Sequence, residues 1–190
     1  MNQLEARFDQ RSEEPQINQQ ISLLALLDER GSKAEKPAEL KKPTEAEKTE
    51  KVEKSAFSVS RDVSAPPDEV WKAIGKFDAL PWHPAIQSGK VENKDGTTTR
   101  TLVAQGGNPV FVEQLLEQGP NFIRYKMTNG LPLQPEGTLK VESNGMGGSK
   151  VSWSAKIEGK DPKTVEAVTK GVTGFYEAGL DNLQKQLGKK

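Results

Sequence analysis

The last segment of the chain, Pro162 to Leu187, carries an uninterrupted apolar stripe, and this feature constrains the fold more than any other. Apolar residues recur there every three or four positions, and charged residues occupy the remaining surface, as in an amphipathic helix. Asp161 and Pro162 are residue types that favour a helix start. The stripe consists of Val165, Val168, Val172, Phe175, Tyr176, Leu180, Leu183 and Leu187.

Three glycines, Gly171, Gly174 and Gly179, lie inside this predicted helix. A glycine in a helix interior is less favourable than alanine by up to about 1 kcal/mol. We interpret this cost as a sign that the helix approaches a sheet closely or leaves room for a pocket. The alternative is that the glycines have no role.

Seven short runs of strand-forming residues precede the helix, and turn formers separate them. The first run, Phe57 to Asp62, is followed by a short helix with an apolar face from Val70 to Phe77. Glycine, proline and asparagine join the later runs tightly, which predicts an antiparallel meander. These runs span residues 86–92, 98–104, 110–117, 122–128, 138–142 and 150–157.

An antiparallel sheet must bury one face, and one long amphipathic helix is available to cover it. A seven-stranded sheet is wider than one helix, so it must curl around the helix and leave a cavity between the two. The predicted fold is therefore α+β. It is a helix-grip fold in which a seven-stranded curved antiparallel sheet surrounds the long C-terminal helix. A cavity of this kind suits an apolar ligand.

The chain divides into three zones by composition. Residues 1–31 are polar apart from one apolar patch, which predicts a tail with a short amphipathic helix. Residues 32–55 are rich in lysine, glutamate and proline and predict a disordered linker, because they cannot bury enough apolar surface to offset chain entropy. The helix-grip domain is predicted to span residues 56–190.

The apolar patch of the tail is a candidate docking element for a protein partner. A linker between a short apolar helix and a domain can hold that domain close to a larger assembly. The docking element would comprise residues 14–31, with an apolar stripe that enters a groove on the partner. The alternative is a partly ordered tail. The candidate docking residues are Ile17, Ile21, Leu24 and Leu27.

Composition argues against several classes of function. Lysine plus arginine and aspartate plus glutamate both number 27, and this balance argues against nucleic-acid binding. The chain has no cysteine and one histidine, so we expect no metal site and no cofactor. No apolar run approaches the roughly 18 residues of a membrane span. The acidic, polar start lacks a secretory signal, so we expect a cytoplasmic protein without a membrane span.

Three motifs in the predicted domain resemble a known superfamily. They read V-x-R-x-V-x-A-P-x-x-x-V-W from Val59, F-D-x-L-P-W-H-P-A-I from Phe77, and G-V-x-x-x-Y-x-A-G-L-D-N-L from Gly171. The pattern is similar to the START-related SRPBCC superfamily, in its polyketide cyclase/dehydrase-like branch. That branch is similar to the plant abscisic-acid receptors, the birch-pollen allergen and a bacterial accessory protein of methanol oxidation. The resemblance implies a helix-grip fold and does not extend to residues 1–55.

The resemblance also implies positions for a ligand pocket. Two loops that close the pocket in the receptors correspond to residues 106–109 and 129–133. Glu113 matches a pocket glutamate of the superfamily, and Gln87 falls where the receptors hold a lysine that pairs with a ligand carboxylate. The candidate pocket residues are Gln87, Glu113, Tyr125, Leu131, Pro132, Leu133, Val172, Tyr176 and Gly179. The candidate residues of the pocket mouth are His83, Gly107, Asn108 and Pro109.

Glu113 and His83 are the side chains that could take part in ligand binding or catalysis. Each could instead have a purely structural role. If Glu113 faces inward it needs a partner, because an unpaired buried carboxylate is costly and its pKa would rise. Arg124 and Tyr125 could supply that partner, or Glu113 faces solvent. His83 either caps a loop at the pocket mouth or serves as a general acid or base. We assign no catalytic residue.

Three functions stay open at this level. The cavity-forming architecture and the lack of a catalytic cluster favour a non-enzymatic module that binds a small, largely apolar molecule and is tethered by its N-terminal arm. The second is an enzyme of the polyketide cyclase or dehydrase type. The third is an accessory subunit whose task is protein contact through residues 14–31.

Overall fold

The structure is a computed structural model, and it describes residues 52–188. Over this range the chain forms seven strands and two helices. The helices are α1 (Pro67–Ile74) and α2 (Pro162–Leu187). The strands are β1 (Glu53–Val63), β2 (Ile86–Lys94), β3 (Thr97–Ala104), β4 (Val110–Gln118), β5 (Phe122–Asn129), β6 (Glu136–Ser143) and β7 (Ser149–Gly159).

The strands form one sheet in the order β1-β7-β6-β5-β4-β3-β2, and every neighbouring pair is antiparallel. Strands β2 to β7 follow one another as a meander, and β1 joins at the far edge beside β7. Register shifts interrupt β2 and β4, and such bulges bend a strand. The predicted α+β helix-grip fold, with a seven-stranded curved antiparallel sheet and a long C-terminal helix, is confirmed.

The first strand begins earlier than predicted. Glu53 to Ser55, placed in the linker by composition, continue the pairing of β1 with Gly159 to Ile157 at the end of β7. A salt bridge of 2.9 Å between Lys54 and Glu158 accompanies this extension. Residues 53–55 are polar and lie at an edge of the sheet, where their side chains are exposed or half-buried. The predicted docking residues Ile17, Ile21, Leu24 and Leu27, and the linker before Val52, lie outside the described residues.

Helix α2 covers one end of the concave face. Asp161 caps its first turn by accepting a 2.9 Å hydrogen bond from the backbone N–H of Thr164. The helix packs against β1 and β7, while α1 packs against β6 and β7. Within residues 52–188, neither helix combines the length and the apolar character needed to cross a bilayer. The buried face of α2 comprises Val165, Val168, Val172, Tyr176, Gly179, Leu180 and Leu183.

Aromatic rings fill much of the space between α2 and the sheet. The ring of Tyr176 stacks on Trp153 of β7, with centroids 4.1 Å apart and planes at 5°. The imidazole of His83 stacks on Phe175 at 3.8 Å and 16°. Trp82 packs against Trp153 at 5.4 Å. Because these flat rings occupy the centre, the free volume under the sheet is confined to one side of them.

His83 caps the loop between α1 and β2, as one of its two predicted roles has it, but it does so as a buried core residue. Its side chain is 2 % exposed. Its Nδ1 accepts a 3.1 Å hydrogen bond from the backbone N–H of Ala85, so the ring proton must reside on Nε2. That nitrogen donates to the carbonyl oxygen of Phe175 at 2.8 Å. Both ring nitrogens are therefore occupied by the backbone.

Gly179 makes room for this imidazole. A Cβ atom added at Gly179 would lie 2.5 Å from Cδ2 of His83 and 3.1 Å from Trp153. Gly179 therefore lets the helix approach Trp153 of the sheet closely, as one interpretation of the helical glycines expected, and it also makes room for the connection that carries His83. Gly179 contacts the protein's own histidine rather than a ligand.

Acid should destabilise the domain through His83. Burial, together with the charge of Arg100, lowers the pKa of His83 to about 4, although the bond to Phe175 opposes the shift. The imidazole of an unfolded chain takes its proton near 6.5, so between these values the unfolded state binds more protons. We expect unfolding free energy to fall by about 3 kcal/mol between pH 6.5 and 4 from this group. Urea unfolding across that range measures the loss.

The matched control for this prediction is His83→Gln, which cannot titrate. The difference in stability between the wild type and this variant should become smaller as pH falls, since carboxylates titrate alike in both. The chain has one histidine, so the imidazole resonance of tag-free protein can be followed directly by NMR. A resonance that titrates near pH 6.5 would contradict the buried, neutral imidazole.

Candidate functional site

A cavity lies between the inner face of β3 to β5, the middle of α2 and the connection between β5 and β6. Its free volume is about 30 Å³, which is room for about two water molecules. Most of its wall is apolar. The residues of the wall are Leu102, Phe111, Glu113, Tyr125, Met127, Leu131, Pro135, Gly171, Val172, Phe175 and Tyr176.

The structure brings five of the predicted pocket residues together on this wall. They come from three sources: two neighbouring strands, the β5–β6 connection and the buried face of α2. Alternation places the strand residues inward, and the helical stripe places the others. These five are Glu113, Tyr125, Leu131, Val172 and Tyr176.

Four predicted pocket residues do not line the cavity. Gln87 is exposed on the edge strand β2, which lies beyond β3 and away from the wall. Pro132 and Leu133 are half-buried in the same connection as Leu131, and the methyl groups of Leu133 lie near Gly159 instead. Gly179 packs against the ring of His83 and is not part of the wall. Sequence position relative to the receptors therefore identified the connection but not which side chains turn inward.

The predicted pocket mouth is also not at this cavity. Gly107, Asn108 and Pro109 belong to the β3–β4 turn, where Asn108 is exposed and nothing lies within 4 Å of a Cβ added at Gly107. The turn connects β3 to β4 close to the wall residues Leu102 and Phe111, but none of its own residues belongs to the wall. The connection between β5 and β6 covers the cavity in its place.

The residue that sequence reasoning missed is Arg100. It stands opposite Glu113 in the register of β3 and β4, and its Nε donates to Oε2 of Glu113 at 2.6 Å. The two side chains are 3 % and 4 % exposed. Of the two predicted partners, Arg124 instead forms an exposed 3.0 Å salt bridge with Glu117, and the Tyr125 hydroxyl contacts that of Tyr176. The available signal was the alternation of β3, because Arg100 shares its face with the buried Leu102 and Ala104.

Aromatic rings and a backbone carbonyl hold the Arg100 guanidinium. It lies 4.4 Å from the ring centre of Phe77 and 5.2 Å from that of Tyr125. Its NH1 group donates to the carbonyl oxygen of Asp78 at 3.3 Å. Stacking on aromatic faces is favourable for a cation and stronger where water is excluded. Arg100 therefore stabilises the Glu113 carboxylate from behind the cavity wall.

The other polar group of the wall is a pair of tyrosines. The hydroxyl oxygens of Tyr125 and Tyr176 are 3.0 Å apart, and the indole N–H of Trp153 donates to the Tyr125 oxygen at 2.9 Å. Burial raises the pKa of both tyrosines well above 10. Both hydroxyls therefore keep their protons at neutral pH and act as neutral hydrogen-bonding groups.

The chemistry available at this wall is hydrogen bonding rather than metal binding. Among the described residues, no group of three histidine, cysteine, aspartate or glutamate side chains could hold a metal ion. Glu113 is the sole carboxylate of the wall, and no lysine, arginine or histidine belongs to it. The site is an apolar space with one carboxylate and two phenols at one side.

Breaking the buried ion pair should destabilise the domain far more than breaking an exposed one. Glu113→Gln leaves the Arg100 charge buried without its partner, which costs about 3 kcal/mol or more. Replacing both residues, as Arg100→Met with Glu113→Leu, should bring stability back to within about 1 kcal/mol of the wild type, because no charge is then buried. Urea unfolding at pH 7 measures both variants.

Glu117→Gln is the matched control, since it removes the carboxylate of the exposed pair with Arg124. An exposed salt bridge contributes at most about 1 kcal/mol. Equal losses in Glu113→Gln and Glu117→Gln would show that the buried pair has no special weight in the fold.

Solved structures of other proteins share this fold. The protein XoxI from Bacillus cereus is 26 % identical, with a TM-score of 0.61 over 70 % of this chain and 95 % of that one. A START superfamily protein from Mycobacterium smegmatis is 20 % identical, with a TM-score of 0.57 over 70 % and 96 %. The Zhui aromatase/cyclase from Streptomyces sp. R1128 is 12 % identical, with a TM-score of 0.56 over 72 % and 94 %. At such identities the last two show the fold alone.

Sequence comparison identifies the family. No curated protein matches the chain at a significant level. A family model described as polyketide cyclase / dehydrase and lipid transport matches residues 54–188, which is nearly the whole described part. The resemblance to the START-related SRPBCC superfamily that the three motifs indicated is thereby confirmed. The chain belongs to the polyketide cyclase/dehydrase and lipid transport family.

Proposed function

We propose that the domain binds a small, largely apolar molecule in the cavity between β3, β4, β5 and α2. The observation that carries this proposal is the composition of the wall. Eight of its eleven residues carry no polar side-chain atom. The other three are Glu113, Tyr125 and Tyr176, and the two tyrosine hydroxyls are hydrogen-bonded to each other. An apolar space with a few polar groups at one side is the usual composition of a ligand site.

The cavity must widen to admit such a molecule, because ligand sites commonly measure about 300 Å³ or more and the free volume here is about 30 Å³. The β5–β6 connection can provide this opening. Leu131, Pro132 and Leu133 are half-buried, and within the described part of the chain no hydrogen bond anchors residues 131–134. Hydrogen bonds fix the two ends of the connection, where Gly130 donates to Asn129 and Pro135 accepts from the backbone N–H of Met127. Residues 131–134 between them can therefore move without the loss of a hydrogen bond.

An enzyme of the cyclase or dehydrase type is the alternative, and the geometry favours it less. Such an enzyme needs a group that exchanges protons near neutral pH. His83 is off the wall with both nitrogens engaged, Glu113 is paired with Arg100, and the tyrosine pKa values are raised. Turnover of a polyketide-like substrate that Glu113→Gln abolishes, in folded protein, would favour this alternative.

Binding can be tested with the neutral fluorescent probe N-phenyl-1-naphthylamine. Leu131→Trp places a larger side chain on the wall and should weaken the probe about tenfold or more, equivalent to about 1.4 kcal/mol. Leu116→Trp is the matched control, because Leu116 is 39 % exposed on β4 and off the wall. Probe titration of wild type and both variants measures the effect.

Equal probe affinity in Leu131→Trp and Leu116→Trp would contradict the cavity as the binding site. Native mass spectrometry of protein purified from its own host gives an independent check. Repeated recovery of the bare mass, together with no binding of the probe, would overturn the proposal that the domain binds an apolar molecule.

A separate hypothesis concerns the N-terminal arm. In it the protein is cytoplasmic, and residues 14–31 tether the domain to a protein partner. A truncation that removes residues 1–51 tests it, since it leaves β1 intact from Glu53. We expect the full chain to recover a partner in a pull-down and the truncated chain to lose it. Equal recovery by both would count against a docking role.

A further inference from the structure

The buried ion pair leaves one acceptor of the cavity wall unused. Glu113 binds Arg100 through Oε2, and its other oxygen, Oε1, has no hydrogen-bond partner among residues 52–188. A carboxylate oxygen is a strong acceptor, and Oε1 is not one of the sealed, unpartnered polar atoms among residues 52–188, so it stays accessible at the cavity wall. A donor brought in by a bound molecule would satisfy it.

The tyrosine pair leaves one donor unused on the same wall. Three hydrogens belong to this group: the indole N–H of Trp153 and the hydroxyls of Tyr125 and Tyr176. Trp153 can only donate, and it does so to Tyr125, while the two hydroxyls share a single 3.0 Å contact. Whichever tyrosine donates in that contact, one hydroxyl hydrogen keeps no partner within the described chain.

The charges around the wall select against ions. A bound anion would meet the Glu113 carboxylate and would find no cation, because Arg100 lies behind the wall and is 3 % exposed. A bound cation would find a carboxylate whose charge Arg100 already neutralises. In either case an uncompensated charge would be buried, which is strongly unfavourable.

We propose that the cavity selects neutral apolar molecules with a single hydroxyl group, an alcohol or a phenol. Such a hydroxyl donates its hydrogen to Glu113 Oε1 and accepts the spare hydrogen of the tyrosine pair. One small group thus satisfies both unused positions, while the rest of the molecule contacts the apolar wall. This inference rests on the proposed function, and it specifies the chemical class of the ligand for that same cavity.

Four compounds with one naphthalene skeleton test this selection. They are 2-(hydroxymethyl)naphthalene, 2-methylnaphthalene, 2-naphthoate and 2-naphthylmethylammonium, each titrated against the full chain and bound N-phenyl-1-naphthylamine at pH 7.5. We expect the alcohol to displace the probe about tenfold more tightly than the hydrocarbon, since a hydrogen bond to a charged group adds that much. The two ions should not displace the probe at concentrations where the hydrocarbon does.

A variant without the Glu113 carboxylate tests whether that group recognises the ligand hydroxyl, or whether the ligand binds only because its apolar surface is buried. Arg100→Met with Glu113→Leu should show a smaller preference for the alcohol than the wild type, because only the hydrogen of the tyrosine pair remains for the ligand hydroxyl, whereas Glu117→Gln should keep the full preference. Equal affinity of alcohol and hydrocarbon for the wild type, or tighter binding of either ion, overturns the inference but leaves the proposed function intact. Failure of the probe to bind at all overturns both. The order of the four affinities for the wild type tests the inference even if the double variant does not fold.

Discussion

One helix has to cover the concave face of seven strands, and the placement of that helix determines where the interior stays open. Helix α2 packs on β1 and β7, at one end of the sheet. The helix has no comparable backbone packing against β3 to β5, so only side chains reach across the space between them. Aromatic rings bridge part of that distance, and the remainder is the cavity.

The polar groups of the interior depend on the same placement. Cross-strand pairing puts Arg100 beside Glu113, and the rings of Phe77, from the connection between α1 and β2, and of Tyr125 lie against the guanidinium. Tyr125 of β5 meets Tyr176 of α2 through their hydroxyl groups, because both side chains point into the space between strand and helix. A carboxylate, its cation and two phenols are thus held in one buried network, in which no member can be removed without exposing the hydrogen-bonding needs of another.

The fold was predictable because it rests on local periodicity. The two-residue alternation of the strands and the apolar stripe of α2 can both be recognised in the sequence. The largest error in a strand start is at β1, which begins at Glu53 instead of Phe57, whereas the other strands begin within two residues of the prediction. A polar edge strand such as this one draws its order from its neighbour β7 rather than from its own composition. Local patterns therefore identify strands best where those strands are half-buried.

The site was predictable in part. Glu113, Tyr125 and Tyr176 were found because each lies on the inward side of a regular element. Arg100 was missed because its partner is set by strand register, and His83 was placed outside because a proline-rich connection has no period from which burial can be read. The burial of His83 depends on the space that Gly179 leaves for its ring, a contact between residues that lie far apart in the chain.

Phe175 belongs to two environments at once. One face of its ring stacks on the imidazole of His83, and the side chain also forms part of the cavity wall. Any rearrangement that lets a ligand bind beside Phe175 will change the ring-current shift of the resonances of His83, the single histidine of the chain. The molecule thus carries its own spectroscopic reporter, one that senses occupancy of the cavity from the far side of an aromatic ring and needs no label.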